Sequence, residues 1–310
     1  GILLSLLLIT GFACSRARLF QADLNKRISQ TSPPSSPGTE SPTLPPLRLA
    51  VSGLMTPGET LRGYGDFLAY LQERTGRPVK LVQRGSQAQI NVLMQARQVD
   101  MALLCPLPYV QGQRTFGMEL LAAVVHRGRV DHYSHLIVPQ GSPVTHLTQL
   151  RGKTFAFSDP DSCTGWLAPA YQLALMGETT SKYFGQQLFT YTHENNARLV
   201  ASKLVDGAVI DSLVQEYLRA VRPDLMAKTQ VVERWGPLPS PPMVVRPDLN
   251  TELKAQLKHI LLSMDRDVQG QRVLHKLQID GFIPINEVAY DIIREMESRV
   301  KSLEDRGGKY

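Results

Sequence analysis

The sequence predicts an α/β chain of two lobes, each a mostly parallel sheet flanked by helices, with a ligand cleft between them. Three observations lead there. Short apolar runs alternate with segments of helical spacing, the pattern by which strand–helix–strand units build a parallel sheet. One such unit occurs twice: residues 87–100 (QAQINVLMQARQVD) and 193–206 (HENNARLVASKLVD) both run through a helix into Val-Asp before an apolar strand. The two copies stand 106 positions apart (87 against 193), which implies two similar lobes rather than a solenoid. Finally, apolar runs at 135–139 (HLIVP) and 243–245 (MVV), bounded by proline or glycine, read as two passages between the lobes.

In chain order, LRLAV at 47–51 is a buried strand, and Phe67, Leu68 and Leu71 give 63–74 helical spacing. A strand at 79–82, a helix at 88–96 and a strand at 101–105 complete the first unit. The second has strands at 188–192 and 207–210 around the helix that begins at His193. Near the C-terminus, Val288, Ile292, Ile293, Met296 and Val300 give 286–305 one apolar face, expected to pack on the first lobe. The first lobe is therefore expected at 47–137 plus 243–305 and the second at 138–242. A length of 310 residues suits two lobes of about 100–150 residues each.

Residues 1–13, GILLSLLLITGFA, are apolar, too short to span a bilayer and end in small residues before Cys14. They predict a signal peptide over 1–14, and the small residues before Cys14 resemble a bacterial lipobox with Cys14 as the lipidated residue. No Met or basic segment precedes the run, so the natural start is expected upstream. Residues 15–46 contain SQTSPPSSPGTESPTLPP; proline joins no ladder and Ser and Thr bury little, which predicts a disordered tether.

A hydrophobic fraction of 43% against 20% charged predicts a sizeable core. The formal charge is +6, but the basic residues are scattered among acids, with no basic stripe interleaved with aromatics. Nucleic acid is not an expected partner. Cys14, Cys105 and Cys163 form no CxxC pair, so neither a metal site nor a cofactor is expected.

In a two-lobed α/β chain, ligands gather beyond the carboxyl ends of the strands. Within TFAFSDPDSCTGWLAP (154–169), a strand ends at Phe157, SDPD turns, and Ser162, Cys163 and Thr164 open a helix. Unpaired N–H groups and the dipole favour an anion there, two hydroxyls add donors, and Gly165 allows close approach of backbone. The competing interpretation is that Ser162 or Thr164 only caps its helix. His193 begins the echoed helix, and Ser86 and Gln87 are its counterparts. Asp211 and Ser212 follow the next strand, and Asp211 is expected to orient a donor rather than touch the anion. Tyr109 offers a phenol or is a core-edge tyrosine, and His132, Tyr133 and His135 lie at the first passage.

The ordered series VDMALLCPLPYV, YSHLIV, SDPDSCTGWLAP, THENNARLVASKLVDGAVIDS and PPMVV resembles the phosphate/phosphite/phosphonate-binding proteins of ABC importers over roughly 47–300. The resemblance implies a type II periplasmic binding protein fold in which Ser162, Cys163, Thr164 and His193 contact the phosphoryl oxygens. It also implies a monomer, tethered through Cys14 on the periplasmic or outer face of a bacterial membrane, that passes a small phosphorus oxyanion to an ABC permease. Three departures bear on specificity. Ser86 and His132 stand where the family often has tyrosine, and Leu213 and Pro241 stand near the acids that pair with an aminophosphonate amine. An unpaired buried ammonium is costly, so phosphate, phosphite or a small alkylphosphonate is expected in preference to an aminophosphonate. Two alternatives are a sensory lipoprotein of the same fold that reports to a membrane kinase, and an enzyme with Cys163 as nucleophile and His193 as base.

Overall fold

The computed structural model describes the backbone of residues 44–51 and 57–307 and the side chains of 44–51 and 63–306. These residues belong to one compact unit, Thr43–Tyr310. The expected signal segment 1–14 with Cys14, and the tether up to residue 43, lie outside the described residues.

Leu47–Val51 (β1), Pro57–Thr75 (α1), Val79–Val82 (β2), Gln87–Gln95 (α2), Met101–Leu103 (β3), Pro106–Phe116 (α3) and Glu119–Val125 (β4) follow one another. Then come Asp131–Pro139 (β5), Thr154–Phe157 (β6), Ala168–Leu175 (α4), Thr180–Tyr183 (α5), Gln186–Phe189 (β7), His193–Ala201 (α6) and Gly207–Asp211 (β8). Ser212–Val221 (α7), Pro223–Met226 (α8), Thr229–Pro239 (β9), Pro242–Val245 (β10), Thr251–Ser263 (α9), Val268–Leu277 (α10), Gly281–Ile283 (β11) and Asp291–Gly307 (α11) complete the order.

Among the described residues, two sheets form, in the orders β11-β4-β10-β3-β1-β2 and β7-β6-β8-β5-β9. In the first, β2, β1, β3 and β4 point one way and β10 and β11 oppose them. In the second, only β5 runs against its neighbours. The directions are mostly parallel, as expected. The passages differ from expectation. All of β5, from Asp131, pairs within the second sheet, so 135–139 is not itself a crossing. The chain changes sheets earlier, at a tight turn where His126 and Arg129 bond reciprocally (2.9 and 3.0 Å) and Arg127 and Gly128 take positive φ. That two-residue turn suits the twist of the strands it joins. The return runs through Ser240 and Pro241, and the Ser240 N–H donates to Val130 O at 3.0 Å, so the two passages lie side by side.

The sequence echo has a geometric counterpart. Asp100 and Arg48 exchange bonds, N–H to Oδ2 at 2.8 Å and N–H to O at 2.9 Å; Asp206 and Thr154 do the same at 2.9 and 3.0 Å. Ser86 caps α2 and Thr192 caps α6, each accepting from the N–H three residues on. Gln87 Oε1 accepts from the Cys105 N–H, and His193 Nδ1 accepts from the Asp211 N–H. Each pair repeats at an offset of 106, as 48 against 154 and 105 against 211 show. The Val-Asp that ends each copy thus holds the helix-to-strand loop on its parent strand, and Cys105 and Asp211 occupy matching strand ends.

The cores follow from burial. Leu49, Phe67, Leu71, Met101, Leu257 and Phe282 fill one side of the first sheet. On its other side lies a cluster that includes Ile90, Tyr109, Cys163, Ala170, Tyr290 and Met296. That cluster draws from both sheets, and α11 contacts α4 as well as α3. The C-terminal helix therefore bridges the lobes instead of serving the first alone. No helix among the described residues is long and apolar enough to cross a membrane.

Candidate functional site

The candidate site lies at the end of β6, where Cys163–Leu167 forms a single π-helical turn that leads into α4. Leu167 N–H reaches back to Ser162 O at 3.0 Å, and Ser162 Oγ caps the turn by accepting from Gly165 N–H at 2.9 Å. Wide turns of this kind are rare and often mark functional sites. Gly165 is there for closeness: a Cβ at that position would lie 1.6 Å from Ser158 Oγ and 2.8 Å from Ser162 Oγ. The backbone thus approaches two serine side chains, and the freedom read from sequence as room for a ligand is used by the protein itself.

Alternation along β5 supplies the second wall. Successive side chains point to opposite faces, so His132 and Ser134 share one and Tyr133 and His135 the other. Ser134 Oγ donates to Thr164 O at 2.6 Å, and Ser134 is opposite Asp211 in the register. His132 Nε2 stands 3.4 Å from Asp211 Oδ2, and neither His132 nitrogen makes a hydrogen bond. Tyr133 and His135 lie on the other face: their rings stack at 6.5 Å, the Tyr133 hydroxyl accepts from Arg129 Nη2 at 2.9 Å, and His135 Nδ1 lies 2.7 Å from Gln215 Oε1 of α7.

Asp211 organises the centre. It is 2% exposed. Its Oδ1 accepts from Leu213 N–H at 2.8 Å, capping α7, and its Oδ2 accepts from Thr164 Oγ1 at 2.9 Å. The Asp211 N–H donates to His193 Nδ1 at 3.2 Å, so the neutral ring carries its proton on Nε2. That Nε2 lies 3.4 Å from Thr164 Oγ1, whose own hydrogen is directed to Asp211. Burial lowers the His193 pKa, with Asp211 pulling the other way, and keeps the imidazole neutral near pH 7. The cluster is a relay of directed donors, and its hydrogen bonds involve no Lys or Arg among the described residues.

Two contacts tie the first sheet to this turn. Cys163 N–H donates to Cys105 Sγ at 3.0 Å, and Gln87 N–H donates to Asp159 Oδ2 at 3.0 Å. Each protein acceptor occupies an N–H at a helix start. Burial pushes the Asp159 carboxyl up from its ordinary value, against the two backbone N–H groups it accepts. The Cys163 thiol is 0% exposed and raised well above the usual thiol value, first by burial and then by Cys105. A catalytic thiol needs the opposite shift.

Of the residues singled out from sequence, the structure brings together Ser162, Cys163, Thr164, His193, His132 and Asp211. Besides Tyr133 and His135, it leaves Ser86 and Tyr109 apart. Ser86 is half-buried and caps α2 through Gln89 N–H. Tyr109 is a core residue: its ring packs edge-on against Tyr290 at 4.9 Å, and burial pushes the phenol up to about 12. Sequence reasoning missed Ser134, Ser158, Cys105 and Asp159. Spacing by two from His132 was the available signal for Ser134. Ser158 has a buried Oγ without a partner at the end of β6.

A family model described as "ABC transporter, phosphonate, periplasmic substrate-binding protein" matches residues 50–290. The phosphonates-binding periplasmic protein of Escherichia coli (strain K12) is 26% identical over 249 residues, covering 76% of this chain and 72% of that protein. A binding-protein component of an ABC phosphonate transporter from Pseudomonas aeruginosa superposes with a TM-score of 0.80 at 24% identity, covering 86% of this chain and 89% of that one. A Prochlorococcus marinus (MIT 9301) protein, solved in complex with methylphosphonate, superposes at 0.75 with 18% identity over 83% and 98% of the two chains.

Proposed function

Because the chain belongs to the phosphonate-type periplasmic substrate-binding proteins of ABC transporters, we propose that it captures phosphate, phosphite or a small phosphonate by closing its two lobes and delivers it to a membrane permease. The observation that carries this is the buried relay at the strand ends. Thr164, His193 and Asp211 are mutually oriented, with the unpartnered nitrogens of His132 beside Asp211 and the unpartnered Ser158 hydroxyl against Gly165 of the turn. Buried polar groups without partners are costly, and an oxyanion offers acceptors to such donors. The Prochlorococcus complex with methylphosphonate supports the same ligand class.

In this proposal Ser162, Thr164 and His193 face the phosphoryl oxygens, and on binding the Cys163 N–H and the Thr164 hydroxyl exchange their bonds to Cys105 Sγ and Asp211 for bonds to the anion. The adjacent passages at 126–130 and 240–241 form the hinge, and an anion bridging both lobes favours the closed state. Lipid attachment at Cys14 and a place on the outer face of the membrane belong to the same proposal. An enzyme built on Cys163 is disfavoured by its raised pKa and by relatives that are binding proteins.

Thermal-shift screening against phosphate, phosphite, methylphosphonate, sulfate and an organic sulfonate tests the proposal. A ligand at a hundred times its Kd stabilises by about 2.7 kcal/mol. A shift with at least one phosphorus oxyanion is expected. No shift with any of them refutes the proposal, and a shift with the sulfonate alone assigns the cleft to another anion class.

A further inference from the structure

We infer that Cys105 and Cys163 form a reversible disulfide across the cleft, so that the oxidised protein is closed and empty and only the dithiol form captures its ligand. The crosslink stands on these two residues alone; its effect on capture rests on the phosphorus-oxyanion function proposed above.

The two cysteines come from opposite lobes. Cys105 follows β3 of the first sheet and precedes α3 as its N-cap, with its N–H held by Gln87 Oε1 at 3.3 Å. Cys163 opens the π-helical turn beyond β6 of the second sheet. Both are buried free thiols. They meet at the anion-binding turn, where Cys105 Sγ accepts from Cys163 N–H at 3.0 Å and lies 4.0 Å from Ser162 Oγ. With one N–Cα bond on one side of that contact and one cysteine side chain on the other, the two α-carbons lie within about 7 Å, the reach of a disulfide. A thiol–thiol hydrogen bond joins the pair, and after burial it is the next cause of the raised Cys163 pKa.

The periplasmic class to which the chain belongs works where disulfides persist. Of the three cysteines in the chain, Cys14 is assigned to the lipid, which leaves this pair, the even number a disulfide needs. The chemistry is thiol–disulfide exchange, with a small-molecule or protein disulfide as oxidant. One cysteine thiolate attacks a sulfur of the oxidant and expels half of it as a thiolate. The second cysteine attacks the protein sulfur of that mixed disulfide and expels the other half. One S–S bond forms and one breaks; the protein thiols give up two electrons and two protons, and the oxidant leaves as two thiols. Burial and the raised Cys163 pKa make the exchange slow and dependent on opening of the lobes. Once formed, the bond holds the Cys105 sulfur at the turn and ties the end of β3 to it. The lobes then cannot part to admit an anion, and the sulfur stays beside the Cys163 N–H that the anion is proposed to take.

Incubation of the full chain with oxidised glutathione or with dithiothreitol, followed by alkylation and peptide mapping, tests the crosslink. The oxidised sample is expected to yield a Cys105–Cys163 linked peptide, lighter by two hydrogens than the separate pair, formed over minutes to hours and lost with dithiothreitol. Saturating methylphosphonate is expected to slow its formation. Calorimetry with methylphosphonate then reads the gate. The oxidised protein is expected to bind at least about tenfold more weakly than the dithiol, a difference of about 1.4 kcal/mol or more, and dithiothreitol restores binding. Cys105→Ser and Cys105→Ala are expected to bind alike before and after the oxidant. Should both variants fail to fold, the peptide map and the reversal in the wild type still decide. Thiols that stay reduced, that form only glutathione adducts, or that pair only in urea overturn the inference. A crosslinked protein that binds as tightly as the dithiol overturns the gate. Failure of the reduced protein to bind methylphosphonate or phosphate overturns the oxyanion function instead, and the peptide map still decides the crosslink.

Discussion

Removing the Asp211 carboxylate is the perturbation with the clearest structural consequence. In Asp211→Ala, α7 loses its cap at Leu213 N–H, which costs about 1 kcal/mol. Thr164 Oγ1 loses a charged acceptor inside the protein, a bond worth about 1.5–3 kcal/mol. His132, already without a hydrogen bond, loses the carboxylate 3.4 Å away. Together these predict a loss of about 3 kcal/mol, the scale of breaking a buried charged pair. Asp211→Asn keeps an oxygen for the cap but turns an amide toward Thr164, and should cost about 1–2 kcal/mol. Urea unfolding followed by the fluorescence of Trp166 and Trp235 reads both. At a slope near 3 kcal/mol/M, Asp211→Ala lowers the midpoint by about 1 M. A loss below about 0.5 kcal/mol refutes the relay as drawn, because no buried carboxylate holding those contacts could be removed so cheaply.

Other outcomes follow from the same geometry. His135 and His193 are held by burial below the ordinary 6.5. The unfolded chain therefore takes up protons first, and stability is full above about pH 6.5 and falls as pH drops through the folded values. The slope is at most about 1.4 kcal/mol per pH unit for each histidine, and urea titrations from pH 7 to 5 should show it shrink in His193→Gln. Gly165→Ala places a methyl group against Ser158 and Ser162, and should cost about 1–3 kcal/mol in the same unfolding assay. Cys163→Ser should leave anion affinity within about threefold, since the contact assigned to this residue is its N–H, and the wild-type thiol should react slowly with a thiol reagent in the folded protein. Rapid labelling, or a tenfold loss of affinity, would contradict that assignment.

The strands of the two repeated units were legible because LRLAV and GAVI are buried on both faces and read as continuous apolar runs. Strand β9 was not: TQVVERWGPLP carries charge and proline, which an edge position tolerates and a central one does not. At the site, Ser162, Thr164 and His193 were legible from their places after strands and at helix starts. Asp211 was legible in place, at the end of the next strand, where it accepts from Thr164 Oγ1. What escaped depends on contacts between distant segments. Cys105 shows its use only when its sulfur meets Cys163 N–H, and Asp159 only when its carboxylate meets Gln87 N–H. Tyr109 stayed open between a cleft phenol and a core-edge ring for a similar reason. Its place after β3 is correct, but α3 turns the ring toward Tyr290 in the core.

A crystal structure with methylphosphonate is the most direct test of the capture proposed here. The phosphonate oxygens are expected within about 2.7–3.2 Å of donors on the Ser162–Thr164 turn and His193. An anion bound away from that turn, or a cleft left empty at saturating ligand, would contradict it.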